Sequence, residues 1–390
     1  MLQDALAEGA SDVQLSSTAD GLLVRYRIDG LLQVVNGADG REFAARTFQR
    51  LKQLADLDPC AAGIQDGSVL LAHDEREVMA RLSLLPGRHG DDAVLRLAEA
   101  GTVSPAAGLR VTALGLDSAT ADAMRRLART PHGLVIVIGP SGSGRSTTLY
   151  SLLGEQPPDG DRLITLEDPI AAPLPDTLQI AIDAARGPGW APTLRAALRH
   201  DADRILIDGL PDGASARLAV QAALGGRRLF AALTAGPGDG ALAALAQLDG
   251  LGVDPRDLGA VLSGVIAQRL LRRVCPHCAE PTTPDADLLA ASDLPASLPD
   301  PSHDGGWRWR RGRGCPACHG SGHLGWQPIA QVLTPDATLR SLIARRASPA
   351  DLREAAERGG LSRLHDAALE LVRRGVTTLE EAHRVTAADE

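Results

Sequence analysis

The stretch VIVIGPSGSGRSTTLY, Val135 to Tyr150, decides the fold. An apolar run of strand length enters a glycine-rich turn and leaves it as the start of a helix. The turn, Gly139-Pro-Ser-Gly-Ser-Gly144, matches the phosphate-binding pattern G-x-x-x-x-G-K-S/T except at the lysine, where Arg145 stands. Such a unit turns backbone N–H groups and a helix N-terminus toward phosphate oxygens. Gly139, Gly142 and Gly144 supply the backbone freedom this needs. The candidate nucleotide contacts are Gly139, Ser141, Gly142, Ser143, Gly144, Arg145, Ser146 and Thr147, with the Ser146 hydroxyl placed to ligate Mg2+. The competing reading is a glycine-rich turn that only closes a core strand.

Downstream of the loop, short apolar strands alternate with helices. RLITLEDPI, DRILIDG and RLFAALTA read as strands, and APTLRAALRH and ASARLAVQAALGG as helices. This alternation predicts an α/β domain with a mostly parallel sheet covered on both faces. The first hundred residues differ. LLVRYRIDGLLQVV alternates around Asp29-Gly30, a hairpin signal, and EFAARTFQRLKQLADL has helical periodicity. EVMARLSLL and DDAVLRLA read as strands joined through Pro86-Gly87. The expected organisation is a mixed α/β module over 1–100, a linker over 101–112 and a phosphate-loop domain over 113–265. A cysteine-bearing subdomain over 266–330 and a helical C-terminus over 331–390 complete it.

The net charge of −9 argues against bulk nucleic-acid binding. No apolar run reaches membrane-spanning length and no secretory signal opens the chain, so a cytoplasmic protein is expected. Lys52 is the only lysine among forty basic residues, a bias that offers a compositional route to arginine at position 145. Of five cysteines, Cys60 stands alone and reads as a small apolar residue in a packed position. Cys275-Pro-His-Cys278 and Cys315-Pro-Ala-Cys318 are separated by thirty-six residues. That spacing suits a closed tetrahedral Zn2+ site, with redox pairs or buried thiols as the alternatives. WRWRRGRG, Trp307 to Gly314, reads as a strand leading into the second cysteine pair, with a membrane-partner contact as the minor alternative.

The chain resembles the ATPases of type II secretion and type IV pilus assembly. GASDVQL, VRYRIDG, RLKQLADLD, ITLEDP, LRAALRHDADRILIDG, GVIAQRLLRRVCPHC, GCPACHGSGHLG and GVTTLEEAHRV carry the likeness, in family order. The resemblance implies a RecA-like core preceded by a PAS-like module, ATP and Mg2+ as ligands, and structural Zn2+ on Cys275, Cys278, Cys315 and Cys318. It also implies a hexameric ring at the inner membrane beside a platform protein, or a mixed ring with an active paralogue. The family's usual extra N-terminal domain is not expected.

Set against the family pattern, several positions depart. The glutamate of the second acidic motif is Gly209, following Asp208, which either ligates Mg2+ or only ends a strand. The two histidines of the histidine box correspond to Arg227 and Thr234, and the arginine after Gly-Glu to Pro211. Arg81 and Arg96 match arginines that reach a nucleotide, whereas two others correspond to Ser68 and Asp92. Glu167 and Asp168 remain as carboxylates for water-mediated Mg2+ binding or for replacing the lost base, or as a capped strand end. The expectation is an ATP-binding family member with slow or absent hydrolysis. The alternatives are an active motor relying on Glu167 and Asp168, a non-enzymatic scaffold subunit, and a decaying duplicate.

Overall fold

The computed structural model describes residues 1–61, 63–73, 76–97, 109–155, 160–183, 187–236, 240–292, 294 and 306–386. They form two compact units, Met1–Val103 and Ser104–Glu390. Most of the expected linker, residues 101–108, lies outside the described residues.

In the first unit, α1 (Leu2–Ala7) precedes β1 (Asp12–Ser17), β2 (Gly21–Ile28) and β3 (Leu31–Asp39). Helix α2 (Arg41–Leu54) then leads to β4 (Gln65–His73), β5 (Arg76–Gly87) and β6 (Gly90–Leu97). The strands make one antiparallel sheet in the order β3-β2-β1-β6-β5-β4. Alternation along β2 buries Val24, Tyr26 and Ile28, and these join Ala44, Phe48 and Leu51 of α2 in one core. The β2–β3 turn holds Asp29 at φ 48° and Gly30 at φ 78°, the paired left-handed residues of a tight hairpin. Lys52 is buried and pairs with Asp91 at 2.8 Å. Cys60 is exposed rather than packed: its N–H donates to Asp58 Oδ1 at 2.8 Å in the turn after α2.

The second unit opens with α3 (Ser118–Ala128), capped by Asp117, whose Oδ1 accepts from the Thr120 N–H at 2.9 Å. There follow β7 (Gly133–Gly139), α4 (Arg145–Gly154), β8 (Leu163–Glu167), β9 (Leu178–Ala181), α5 (Trp190–Leu198) and β10 (Arg204–Ile207). Next come α6 (Gly213–Leu224), β11 (Arg228–Thr234), α7 (Ala243–Gly250), α8 (Pro255–Val261) and β12 (Leu262–Val274). These strands and β15 (His323–Leu333) form a seven-stranded sheet in the order β15-β12-β7-β11-β10-β8-β9. All its pairs are parallel except β12 with β15.

Successive residues of β7 feed two cores, which is why the strand reads as an unbroken apolar run. Leu134, Ile136 and Ile138 face one, with α5, α6 and the C-terminal helices. Val135 and Val137 face the other, with Met124 and Leu127 of α3 and Leu149 and Leu152 of α4. Strands β12 and β15 belong to this sheet because Gly264–Ala267 of β12 pair with β7 and β15 pairs with β12. The cysteine-bearing insertion therefore runs between Val274 and His323, narrower than the 266–330 expected. It contains β13 (Ala279–Pro281), α9 (Ala286–Ala290) and β14 (Arg310–Gly312). Within WRWRRGRG, only Arg310–Gly312 is strand, and Trp307 stacks on Trp309 with centroids 4.7 Å apart, both packed on the larger core. Helices α10 (Ala337–Ala344), α11 (Pro349–Arg358), α12 (Leu364–Arg373) and α13 (Leu379–Thr386) close the chain.

Candidate nucleotide site and four-cysteine cluster

The C-terminal ends of four neighbouring parallel strands converge on one loop. β7 ends at Gly139, level with Thr234 of β11. β8 ends at Glu167, and the chain leaving β10 places Asp208 beside it, the Asp208 N–H donating to Leu166 O at 2.9 Å. The turn over β7 admits only glycine at key points. A Cβ at 139 would lie 2.5 Å from Ser143 Oγ, and Gly142 and Gly144 have φ of 77° and 82°.

Ser146 Oγ donates to Asp208 Oδ2 at 2.7 Å, so the loop hydroxyl and the strand-end carboxylate are already together. Burial pushes the Asp208 carboxyl up to about 6. The Ser146 hydrogen bond and the Arg145 charge oppose this, while Glu167 and Asp168 add to it. A hydroxyl and a carboxylate at this place are oxygen donors of the kind Mg2+ takes. The Ser143 hydroxyl is buried within the loop with no protein partner, a donor suited to a phosphate oxygen. The glycine geometry, the Ser146–Asp208 pair and this orphan hydroxyl fit a Mg2+-nucleotide. Ser141 is exposed and Thr147 half-buried on the first turn of α4.

Arg145 departs from a free phosphate ligand. Its Nη1 donates to the carbonyl oxygens of Gly139 and, at 3.4 Å, Leu233, so the guanidinium folds back onto the ends of β7 and β11. Burial lowers its pKa against the pull of Asp208.

Glu167 is fully buried, and its oxygens are taken up by donors. Thr165 Oγ1 donates to Oε1 at 2.5 Å and Gln179 Nε2 at 3.1 Å, while Oε2 accepts from the Tyr150 hydroxyl and from the Ala171 N–H at 3.3 Å. Burial and the bond to Glu167 raise the pKa of Tyr150, which keeps it a proton donor in this network. Asp168, one residue on, is exposed.

At Gly209 the space beside the chain is bounded by an indole: a Cβ there would lie 3.4 Å from two ring carbons of Trp190. Thr234 is at the loop end of β11. Arg227 lies at the opposite end of that strand, its carbonyl accepting from the Gly133 N–H at 3.1 Å and its guanidinium donating to Ala202 and Leu198. Arg227 is thus away from the phosphate loop. Arg81 and Arg96 stand opposite each other on β5 and β6 of the first unit, both exposed, with Arg96 Nε 3.1 Å from Asp12 Oδ1. Tyr150, Gln179, Trp190 and Gln268 are site residues that motif reading passed over.

The four cysteines form one cluster at the end of β12. Their sulfurs all lie within 4.8 Å of one another, with Cys275–Cys315 and Cys278–Cys318 at 3.8 Å and Cys315–Cys318 at 3.7 Å. A tetrahedron of Zn–S bonds of about 2.3 Å has edges of about 3.8 Å, so the set fits that ion. Burial pushes the Cys275 thiol up to about 12. At Cys318 burial is outweighed by the N–H groups of Cys315 and Gly322, each 3.2 Å from the sulfur, and its pKa falls to about 6. N–H donors aimed at a sulfur favour the thiolate that a metal requires.

Parallel sheet, glycine loop and strand-end carboxylates define a P-loop domain of the RecA-like class. The chain belongs to the type II/IV secretion system protein family, whose description matches residues 1–384. It is 35% identical over 387 residues to the type II secretion system protein HxcR of Pseudomonas aeruginosa, covering 99% of this chain and 76% of that protein. It is 34% identical to the type II secretion system ATPase E of Vibrio cholerae, covering 99% and 74%. With the type IV pilus assembly ATPase PilB of Thermus thermophilus it shares 31% identity, over 98% of this chain and 42% of that one. Among solved structures, the pilus retraction motor PilT with bound ADP superposes at a TM-score of 0.63 and 21% identity, over 99% and 95% of the two chains. The Legionella pneumophila ATPase DotB superposes at 0.68 and 16%, over 98% and 93%. Among the described residues no helix is long and apolar enough to cross a membrane.

Proposed function

We propose that this chain is a secretion- or pilus-assembly ATPase homologue that holds Mg2+-ATP and turns it over slowly or not at all. The observation that carries this is the contrast within one loop: the Ser146–Asp208 pair is intact at 2.7 Å, while position 209 offers no side chain. Removing a positioned base costs about 10²–10⁴-fold in rate. Glu167 is a poor substitute, since its oxygens are engaged by Tyr150, Thr165, Gln179 and Ala171 N–H. The test is paired. Wild type is expected to bind ATP in a Mg2+-dependent manner and Ser146→Ala to lose that binding, with turnover at background in both. Turnover well above background and abolished by Ser146→Ala would sink the non-hydrolysing part.

One observation favours the second reading, an active motor: Asp168 is exposed, and its charge acts on the Asp208 carboxyl. If that reading holds, Asp168→Asn abolishes a measurable ATPase rate while Glu167→Gln, by loosening β8, lowers it indirectly.

The names of the relatives, a secretion ATPase and a pilus assembly ATPase, support the rest of the reading. The chain assembles as a ring, hexameric or mixed with an active paralogue, with Arg81 and Arg96 directed to a nucleotide. It works on the cytoplasmic side of the inner membrane through a platform protein, binds no nucleic acid, and carries Zn2+ on its four cysteines.

A further inference from the structure

We propose that Gln268 is a positioning residue that holds the phosphate loop in its binding shape from the neighbouring strand. This rests on the reading of the loop as a nucleotide site. Gln268 is buried in β12, directly after the apolar run Val265-Ile-Ala, and is level with the end of β7, since Ala267 pairs with Ile138. A buried amide is costly unless both its ends are bonded. Both ends of this one are spent on the loop and its helix: Nε2 donates to Ser143 O at 2.7 Å, and Oε1 accepts from Thr148 Oγ1.

Two loop glycines are shaped around the same residue. A Cβ at Gly144 would lie 2.9 Å from Gln268 Nε2, and one at Gly139 would lie 2.6 Å from the Gln268 carbonyl oxygen. That carbonyl is itself fixed, because buried Arg269 donates to it from Nη1 at 3.0 Å and to Gly236 O from Nη2 at 3.1 Å. Gln268 thus ties the carbonyl of one loop residue to a hydroxyl one turn into α4. With the amide in place, the loop N–H groups point where phosphate oxygens will be before any nucleotide arrives, which removes an ordering cost from binding.

Gln268→Met keeps the length of the side chain and removes both hydrogen bonds. Amide hydrogen exchange over residues 139–148 and titration with Mg2+-ADP are the two readouts. Gln268→Met is expected to speed exchange in that segment and to weaken ADP binding by about tenfold, equivalent to about 1.4 kcal/mol. Thr148→Val, which removes one of the two bonds, should fall between. Gln327→Met is the control, since Gln327 is a buried amide on β15 that donates to Gly115 O at 2.7 Å and not to the loop. It should leave both readouts at wild type. Unchanged exchange and unchanged ADP affinity in Gln268→Met overturn the proposal. If wild type binds no ADP, the nucleotide reading falls, and the exchange measurement alone still decides the role of Gln268.

Discussion

Stripping metal from the four-cysteine cluster is expected to unfold the insertion between β12 and β15. Four thiols with sulfurs 3.7–3.8 Å apart along three edges make a tetrahedral cage, and the segment's other described anchors are Trp307 and Trp309 on the larger core and the Arg308 N–H on Arg373 O. Its sheet is two strands of three residues each, Ala279–Pro281 and Arg310–Gly312. A two-stranded ribbon of that size is not stable in water unaided. Zn2+ at such sites supplies on the order of 10 kcal/mol of folding free energy. A chelator should therefore release one equivalent of zinc and open residues 275–322 to protease, and Cys278→Ser should purify without metal and show the same cleavage. The parallel sheet should survive, because β12 and β15 pair with each other and β12 with β7 independently of the sulfurs. A metal-free wild type with a protected insertion would contradict this.

The second large effect lies where the C-terminal helix meets the sheet. Glu381 of α13 is buried, and five hydrogen bonds from two arginines converge on its carboxylate. Arg272 of β12 contributes its N–H at 3.0 Å, Nε at 3.0 Å and Nη2 at 2.6 Å, and Arg384 its Nε at 2.8 Å and Nη2 at 2.7 Å. Burial alone would raise the pKa, but these bonds overcome it and hold the carboxyl down at about 2. Glu381→Gln leaves the largely buried Arg272 without its counter-charge, and losing one partner of a buried pair costs about 3 kcal/mol. The folded pKa lies below the ordinary value of 4.5, so the stabilisation is fully present above about pH 4.5. It is lost as pH falls from there toward about 2. Solvent around the exposed head of Arg384 reduces the contribution to about 2 kcal/mol. Urea denaturation should show a gap between wild type and Glu381→Gln that narrows on acidification. A gap independent of pH would rule the ion pair out as its source.

What could be read from the sequence was local. The turn over β7 holds Gly142 and Gly144 at φ of 77° and 82°, which favours glycine by backbone conformation alone, as Asp29-Gly30 does in its hairpin. The cysteine spacing carries its geometry with it. The rest depends on partners distant in the chain. Glu167 looks like a spare carboxylate until Tyr150 and Gln179, brought in by α4 and β9, take up its oxygens. Gly209 looks like an empty position until Trp190 of α5 lies beside it. Strand β12 is divided at residue 266 by the expected subdomain boundary, while Leu262 to Ala267 are bonded to β7 in the sheet. Arg227 shows the same limit: its correspondence to a histidine of the family pattern says nothing of strand direction, which puts it at the far end of β11.

The most direct measurement is calorimetric titration of zinc-loaded protein with ATP, with and without Mg2+, beside Ser146→Ala and a phosphate-release assay on the same samples. Micromolar binding that needs Mg2+, vanishes in Ser146→Ala and comes with background phosphate release is the predicted result. No binding by the folded wild type, or phosphate release at motor rates, would contradict it.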